Sequence, residues 1–490
     1  MDNREEEKES SLKKKTAKGL FFGGLSNAIQ QIIGFLFGLY VARNLLSPSD
    51  YGTISLLTIF ALIATAFQES GFVMGLVNKR EVSHKDYNAV FWCSLSISTL
   101  LYIALFFLAP FIADFYEKVE LTALSRFLFI SFWLGSFSIA HNAYLYRHLM
   151  VAERSIVMLS ALIVSNIAGL IFAYYGFAYW SLAIQTVVYT FVSSSMFFYF
   201  SKFRPTLHID FSPIKDIYKF SSKILITNIF IHINNNIYAS VLGKFFSKQQ
   251  IGFISQASKW NNMGQSLITN MINNVIQPVL NQIHDDENRQ VRVFRKLLNF
   301  TSFVAFIMLF GLAAVAGDFI RITLTDKWIE SARYVRILCI GGAFATINNV
   351  FSNLILTKGQ SSIYMFNIVG FGILQFLILI LCKDFGLELS IMLISTLNLL
   401  WIFIWYVIVK RFIAFGLMQL ISDVFTYVFL AGIACAAAAF LSQSISLLFV
   451  RFSTCILASG VFYLLLNKIF KPDILTEIIN FAKGSLIKKK

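Results

Sequence analysis

Residues 362–382 read SIYMFNIVGFGILQFLILILC, an apolar stretch without a charged side chain. A bilayer core about 30 Å thick needs roughly 20 helical residues to span it, so this stretch predicts a transmembrane helix. After the short break KDFGL (383–387), the next apolar stretch begins. Such stretches recur along nearly the whole chain, and the sequence therefore predicts an all-α polytopic membrane protein with about fourteen transmembrane helices.

The predicted spans leave no room for a separate soluble domain. They cover residues 20–42, 52–74, 89–112, 127–147, 156–175, 178–200, 222–242, 251–280, 298–317, 334–356, 362–382, 388–409, 420–441 and 448–467. The fourth, seventh and tenth are the least apolar, so twelve to fourteen spans fit the pattern. Charged residues make up only 14% of the 490 residues, whereas soluble domains carry about 25%.

Positive charges are distributed unevenly between the two predicted sides. With the N-terminus in the cytoplasm, and with Arg147 at the inner end of the fourth span counted as inner, 28 of the 41 lysines and arginines lie on the inner side, 10 on the outer side and 3 within spans. Because cytoplasmic loops of membrane proteins carry an excess of Lys and Arg, both termini are predicted to be cytoplasmic. The net charge of +15 then lies beside anionic lipid headgroups, and no nucleic-acid partner is needed to explain it.

The cysteines and histidines predict no metal centre. The five cysteines form no CxxC pair, and the six histidines lack metal-ligand spacing. The chain also lacks the GxxxxGK[ST] segment of ATP-hydrolysing proteins. We therefore expect no metal and no cofactor, and the sequence leaves open only a coupling H⁺ or Na⁺.

The chain is predicted to be doubled. An even-numbered unit of six spans repeats in the same orientation, which gives two lobes related by an axis along the membrane normal. Positions 200 residues apart match at Ile29/Ile229, Ser47/Ser247 and Gly52/Gly252, among others. The predicted domains are a charged cytoplasmic tail (1–18), an N-lobe (19–200), a cytoplasmic linker (201–221), a C-lobe (222–411), two appended helices (412–470) and a basic cytoplasmic tail (471–490).

Polar residues inside the spans form helical faces. In the eighth span, Lys259, Asn262, Ser266, Asn270 and Asn273 recur at spacings of three and four, which places them on one side of a helix. Further polar positions are Asn27 and Gln31 in the first span, Asn235 in the seventh and Asn349 in the tenth. Such faces either line a hydrated chamber or bond neighbouring helices together, and we favour the chamber.

Charges embedded in the spans favour an anionic ligand. Lys223, Lys259 and Arg336 stand against Glu69, while Glu388 and Asp423 lie within the first four residues of the twelfth and thirteenth spans. A cation at the centre of a membrane helix costs about 2.5–3.5 kcal/mol. Lys223 and Arg336 lie near span ends, where snorkelling to the interface is the alternative. Glu69 is a candidate either for an ion pair with Lys259 or for binding a coupling ion. Pro278 is either a hinge or the end of its helix.

Four segments resemble the signatures of one transporter family. They are QESGFVMGLVNK (68–79), VARNLLSPSDYGTISLL (41–57), LGKFFSKQQIGFISQASKW (242–260) and IQPVLNQIHDDENR (276–289), the last with Asn281 where the family commonly has serine. Together they resemble Wzx-type O-antigen and capsule flippases of the multidrug/oligosaccharidyl-lipid/polysaccharide exporter superfamily. The resemblance covers most of the chain and is weakest in the last two spans.

The resemblance implies a V-shaped pair of six-helix lobes plus two extra helices, in a bacterial inner membrane. It implies an undecaprenyl-pyrophosphate-linked oligosaccharide as substrate, membrane lipids as surroundings and polysaccharide polymerase machinery as a candidate partner. A multidrug antiporter of similar architecture and a flippase for the peptidoglycan precursor are the alternatives. A membrane enzyme is disfavoured, because the outer breaks are short and carry no clustered catalytic groups.

Overall fold

The computed structural model describes residues 26–69, 72, 73, 76, 79, 81–282, 287–471 and 476. Within this part of the chain, the side chains of 68, 69, 215–224, 273–282 and 287 lie outside the description. The described chain is helical almost throughout, and it divides into two compact units. Unit 1 ends at Gly252 and unit 2 begins at Phe253.

Unit 1 contains nine helices and the first turn of a tenth, counted over its described residues. They are α1 (26–44), α2 (Pro48–Glu69), α3 (His84–Phe115), α4 (Leu121–Leu128), α5 (Ile130–Ser136), α6 (Ile139–Arg147), α7 (Val151–Tyr174), α8 (Tyr179–Phe200), α9 (Ser212–Leu242) and the start of α10 (Lys248–Gln282). Helices α7 and α8 form an antiparallel hairpin, and α9 packs along α2.

Unit 2 contains the rest of α10 and a second bundle. Its helices are α11 (Glu287–Ala314), α12 (Ala316–Thr323), α13 (Ser331–Thr357), α14 (Ser361–Leu381), α15 (Leu387–Val409), α16 (Leu417–Leu420), α17 (Thr426–Ser442) and α18 (Leu448–Phe470). A π-helical turn, Ile421–Phe425, joins α16 to α17. Helix α13 is the most buried of the apolar helices and packs against α11 and α15.

Ten helical segments of the described chain are long and apolar enough to cross a membrane, and the bent segment over α4–α6 makes eleven if it is one span. Their outer faces expose large apolar side chains, such as Phe107 and Leu457 at 69%, and such surface requires lipid around it. The all-α membrane fold is thus confirmed, whereas the number fourteen stays a prediction. Helices α9 and α10, at 31 and 35 residues, are long enough to span, but their Asn, Gln and Lys residues lower their hydropathy.

The starts of α2 and α10 have the same local structure. At α2, Ser47 N–H and Oγ–H donate to Asp50 Oδ2 (2.8 and 2.6 Å), and Asp50 N–H donates back to Ser47 Oγ (3.3 Å). At α10, Ser247 and Gln250 make the same three hydrogen bonds at 3.1–3.2 Å. Both are capping boxes, in which two residues satisfy each other's free backbone donors. The matched serines, 200 residues apart, thus begin equivalent helices.

Within unit 2, α18 and the π-helical turn before α17 make polar contacts with α11. The carboxylate of Asp423, fully buried, accepts two hydrogen bonds from the Arg295 guanidinium at 2.7 and 2.9 Å. Tyr463 Oη–H donates to the Phe303 carbonyl at 2.9 Å. The apolar side of this contact includes Val315, Ala438 and Cys455. The predicted domain boundaries themselves stay a prediction.

Candidate functional site

Helix α10 presents two chemically different faces. The side chains of Lys259, Asn262 and Asn270 are exposed, and Ser266 is half-buried among them. The spacing of three and four residues therefore produces one polar, cationic face in three dimensions, as the sequence predicts. Leu267 and Met271 extend this exposed surface on its apolar side.

The opposite face of α10 holds the helix in unit 2. The Trp260 ring packs edge-on against Phe319, with the ring centroids 4.8 Å apart. Asn261 packs so closely on Gly342 of α13 that a Cβ added there would lie 2.1 Å from its Oδ1. Gly264 leaves space for Leu309 of α11. Because the apolar and small residues are buried against α11–α13, the polar face is turned away from the core of its own unit.

The other predicted site residues lie in two kinds of environment. Asn27 and Gln31 of α1 and Asn235 of α9 are exposed. Asn349 is half-buried in α13, where its Oδ1 accepts a hydrogen bond from Asn353 Nδ2 at 3.0 Å. This hydrogen bond lies within one helix, and the role of Asn349 in a hydrated chamber stays a prediction.

For several of the predicted site residues, the structure describes the backbone but not the side chain. These are Glu69, Lys223, Asn273 and Pro278. Their backbone places Glu69 at the last position of α2 and Lys223 in α9. Pro278 lies inside α10, which continues to Gln282, so the helix does not end at the proline.

Arg336 lines a cavity of unit 2. The side chain extends from α13 toward α12, and its Nη2 lies 3.5 Å from where a Cβ of Gly317 would be. Lys259 and Asn262 are not among the residues of that cavity wall. A shared substrate site of Arg336 and Lys259 stays a prediction.

A second structural feature lies in unit 1, at the turn between α9 and α10. We call it the α9–α10 junction, and it joins residues of this turn to α2 and to the α3–α4 loop. Its members are Gly52, Tyr116, Lys118, Glu120, Ser240, Gly243, Lys248 and Gly252.

Polar contacts fix the junction on one side. Tyr116 Oη–H donates to the Ser240 carbonyl at 2.9 Å, and Lys118 Nζ donates to the Gly243 carbonyl at 3.0 Å. Lys248 forms an ion pair with Glu120. Partial burial raises the pKa of Glu120, but the hydrogen bond and charge of Lys248, a backbone hydrogen bond and the charge of Lys118 together outweigh this and hold that pKa below its usual range. Burial, followed by repulsion from Lys248, lowers the pKa of Lys118.

Two glycines bring the helix starts into backbone contact. A Cβ added to Gly52 would lie 1.8 Å from the Lys248 carbonyl oxygen, and one added to Gly252 would lie 1.7 Å from the Pro48 carbonyl oxygen. The two contacts are reciprocal, since Pro48 and Lys248, the residues that the glycines meet, are themselves 200 residues apart. No side chain fits at either glycine, so α2 and α10 meet only because both positions lack a Cβ.

The sequence alone contains only part of the signal for this junction. The match of Gly52 with Gly252 at an offset of 200 residues indicates equivalent turns, but it does not show that the turns touch each other. Tyr116, Lys118 and Glu120 give no signal of their own, because their partners lie more than 120 residues away.

Comparison with known proteins identifies the family. Residues 40–333 match the family described as "Polysaccharide biosynthesis protein". The chain is 22% identical over 366 residues to the lipopolysaccharide biosynthesis protein WzxC of Escherichia coli (strain K12), which covers 73% of each chain. It is 25% identical over 381 residues to an uncharacterized membrane protein in the cps region of Klebsiella pneumoniae, covering 73% of this chain and 75% of that one.

A solved structure shows the same fold. The lipid II flippase MurJ, in an inward closed conformation, superposes with a TM-score of 0.74 at 14% identity, over 93% of this chain and 100% of that chain. The family match covers more than half of the chain, and the described helices have the length and composition of a multi-pass membrane protein. This protein is therefore a member of the polysaccharide biosynthesis protein family.

Proposed function

We propose that this protein is a flippase that moves undecaprenyl-pyrophosphate-linked oligosaccharide units from the cytoplasmic to the periplasmic leaflet of a bacterial inner membrane. It works by alternating access, with both termini in the cytoplasm, and supplies units for surface polysaccharide synthesis. It is a transporter and not an enzyme.

The observation that carries the proposal is the exposed polar face of α10 with Lys259 on it. A pyrophosphate and its sugars cannot enter hydrocarbon unaided, because each unsatisfied polar group costs several kcal/mol. The amides of Asn262 and Asn270 can bond sugar hydroxyls in place of water, and the Lys259 ammonium can hold the pyrophosphate. Family membership and the name of WzxC support a glycolipid over other anions.

The remaining predicted residues take supporting roles in this proposal. Lys223, Asn27, Gln31 and Asn235 belong to the surface that the headgroup passes. Glu69 is the candidate for binding a coupling H⁺ or Na⁺, and Pro278 is the candidate for a hinge in α10. With the cell interior negative, moving each negative charge outward gains about 2.3 kcal/mol per 100 mV, so the membrane potential favours export of the pyrophosphate.

The α9–α10 junction is the part that must separate during transport. By the charge distribution, the end of α9 and the start of α10 face the periplasm. Their contact with α2 then closes the periplasmic side, and release of the glycan there needs the junction to open. A polymerase that consumes the exported unit is the expected partner on that side.

Two other substrates remain as alternatives. Lipid II is a polyprenyl-pyrophosphate glycolipid as well, and MurJ shares the fold. A multidrug antiporter commonly binds organic cations, which the positive face of α10 disfavours. The two glycolipid substrates therefore differ in their sugars. A glycolipid and a cationic drug differ in the sign of their charge.

Reconstitution tests the proposal. Purified protein in liposomes is given a fluorescent polyprenyl-pyrophosphate oligosaccharide, and leaflet accessibility is followed with time. Transport in the wild type and its loss in Lys259→Ala are expected, while Lys410→Ala, which removes an exposed lysine after α15, keeps the wild-type rate. Parallel liposomes with lipid II and with a cationic dye separate the alternatives. Full activity of Lys259→Ala contradicts the proposed role of α10.

A further inference from the structure

Unit 2 contains a cavity of about 550 Å³ walled by α12, the starts of α13 and α18, and the end of α17. Its wall carries four arginines and two carboxylates: Arg321, Arg333, Arg336, Arg451, Asp318 and Glu330. A concave wall with an excess of one sign of charge concentrates the electrostatic field. The cavity is therefore electropositive before any ligand enters.

The carboxylates around the cavity are already paired. The Asp318 carboxylate accepts two hydrogen bonds from Arg451, with Nε and Oδ2 2.7 Å apart. Glu330 Oε2 lies 3.8 Å from Arg333 Nε. Arg321 Nε lies 3.0 Å from Oδ1 of Asp326, a residue that does not line the cavity. These pairs neutralise three of the four arginines.

Arg336 is the arginine of the cavity wall that belongs to none of these ion pairs. Among the residues that the structure describes, no carboxylate lies within 4.0 Å of its guanidinium. Its side chain is exposed to the cavity and extends toward Gly317 of α12. An unpaired cation among three other guanidinium groups is electrostatically unfavourable, and an anion in the cavity would relieve it.

We propose that this cavity binds a phosphate-bearing anion, held by Arg336 together with Arg333 and Arg451. The planar guanidinium fork matches phosphate oxygens with two parallel hydrogen bonds. A volume of about 550 Å³ falls within the roughly 300–1,000 Å³ of small-molecule sites, so it holds a phosphate with a further polar group attached. The first turn of α13, which also lines the cavity, adds its positive helix end.

The phosphate can come from a lipid headgroup or from free phosphate in solution. Large apolar side chains next to the wall, Phe440, Leu441, Leu447 and Phe449, are 56–73% exposed. They provide a surface on which acyl chains can lie while the headgroup enters the cavity. Both sources share the phosphate chemistry, and the experiment distinguishes them.

Binding is measured on the purified full-length protein, without transport. Thermal unfolding in a neutral detergent is recorded with added phosphatidylglycerol, with phosphatidylcholine, and with inorganic phosphate or pyrophosphate. Arg336→Gln is compared with Arg411→Gln, which removes an exposed arginine after α15. We expect Arg336→Gln to weaken phosphate binding roughly tenfold or more, as loss of a charged hydrogen bond predicts, and Arg411→Gln to leave it unchanged.

The outcomes decide whether the cavity binds phosphate and which source the phosphate has. Stabilisation by phosphatidylglycerol but not by phosphate supports the lipid source, and stabilisation by phosphate or pyrophosphate alone supports the free anion. Equal binding by the two variants, or no stabilisation by any phosphate compound, overturns the site. Hydrogen exchange of the wild type provides a check independent of variant folding. Ligand must protect residues 317–336 there, and unchanged exchange in that segment also overturns the proposal.

Discussion

Replacing Gly52 or Gly252 with alanine should force the α9–α10 junction apart. The added methyl group would lie 1.8 Å from the Lys248 carbonyl oxygen in one case and 1.7 Å from the Pro48 carbonyl oxygen in the other. Carbon and carbonyl oxygen atoms approach no closer than about 3.3 Å, so the two backbones must separate by about 1.5 Å. Backbone atoms cannot rotate away as a side chain can, and we expect each alanine to cost about 1–3 kcal/mol.

The two substitutions together should cost less than the sum of their separate effects. Because the contacts are reciprocal, one displacement of α2 from α10 relieves both, and the expected coupling is about 1–2 kcal/mol. The apparent melting temperature of the purified protein reports the cost. Hydrogen exchange of residues 243–252 reports whether the junction is the part that opens, and the flipping assay reports the consequence for transport.

Gly34→Ala is the matched control. It lies in α1 of the same unit, and no atom lies within 4 Å of its added Cβ. An alanine there should stabilise the helix by up to about 1 kcal/mol. If Gly52→Ala and Gly252→Ala behave like Gly34→Ala, or if their effects simply add, the reciprocal backbone contact does not exist as described.

Further predictions concern the charged contacts. Asp423→Asn should destabilise unit 2 by about 1.5–3 kcal/mol, because it weakens the charged hydrogen bonds from Arg295, whose side chain is 36% exposed; unchanged thermal unfolding would speak against this role. Glu120→Gln should cost only about 0.2–1 kcal/mol, because the pair with Lys248 is partly exposed. Since the folded-state pKa of Glu120 is lowered, this contribution is present at neutral pH and is lost as pH falls through that pKa. The melting-temperature difference between wild type and Glu120→Gln should therefore vanish in acid, and a pH-independent difference would contradict the assignment.

The polar face of α10 could be predicted because it is a property of one helix. Spacings of three and four residues fix which side chains share a face, and Lys259, Asn262 and Asn270 are found together as the sequence predicts. The capping serines, Ser47 and Ser247, are local in the same way, since each bonds a residue three positions ahead.

Hydropathy alone does not determine the number of spans, because polar faces reduce the hydropathy of the helices that carry them. Hydropathy measures a helix by its average, and the polar residues that give α10 its candidate function also reduce that average. Ten or eleven spans pass a test of length and apolarity in the described chain, although α9 and α10 are long helices. Each position that contributes a polar side chain to such a face is a position that no longer contributes an apolar one to the mean hydropathy.

The amino-acid sequence by itself determined the membrane-spanning helical fold and the side of α10 that carries polar groups, because both depend on spacing along one helix. Only the tertiary structure decided that Arg336 faces a cavity with Arg333 and Arg451, and that Gly52 and Gly252 meet backbone to backbone. These arrangements join residues up to 200 positions apart, and their geometry arises from how helices pack, which no local pattern contains.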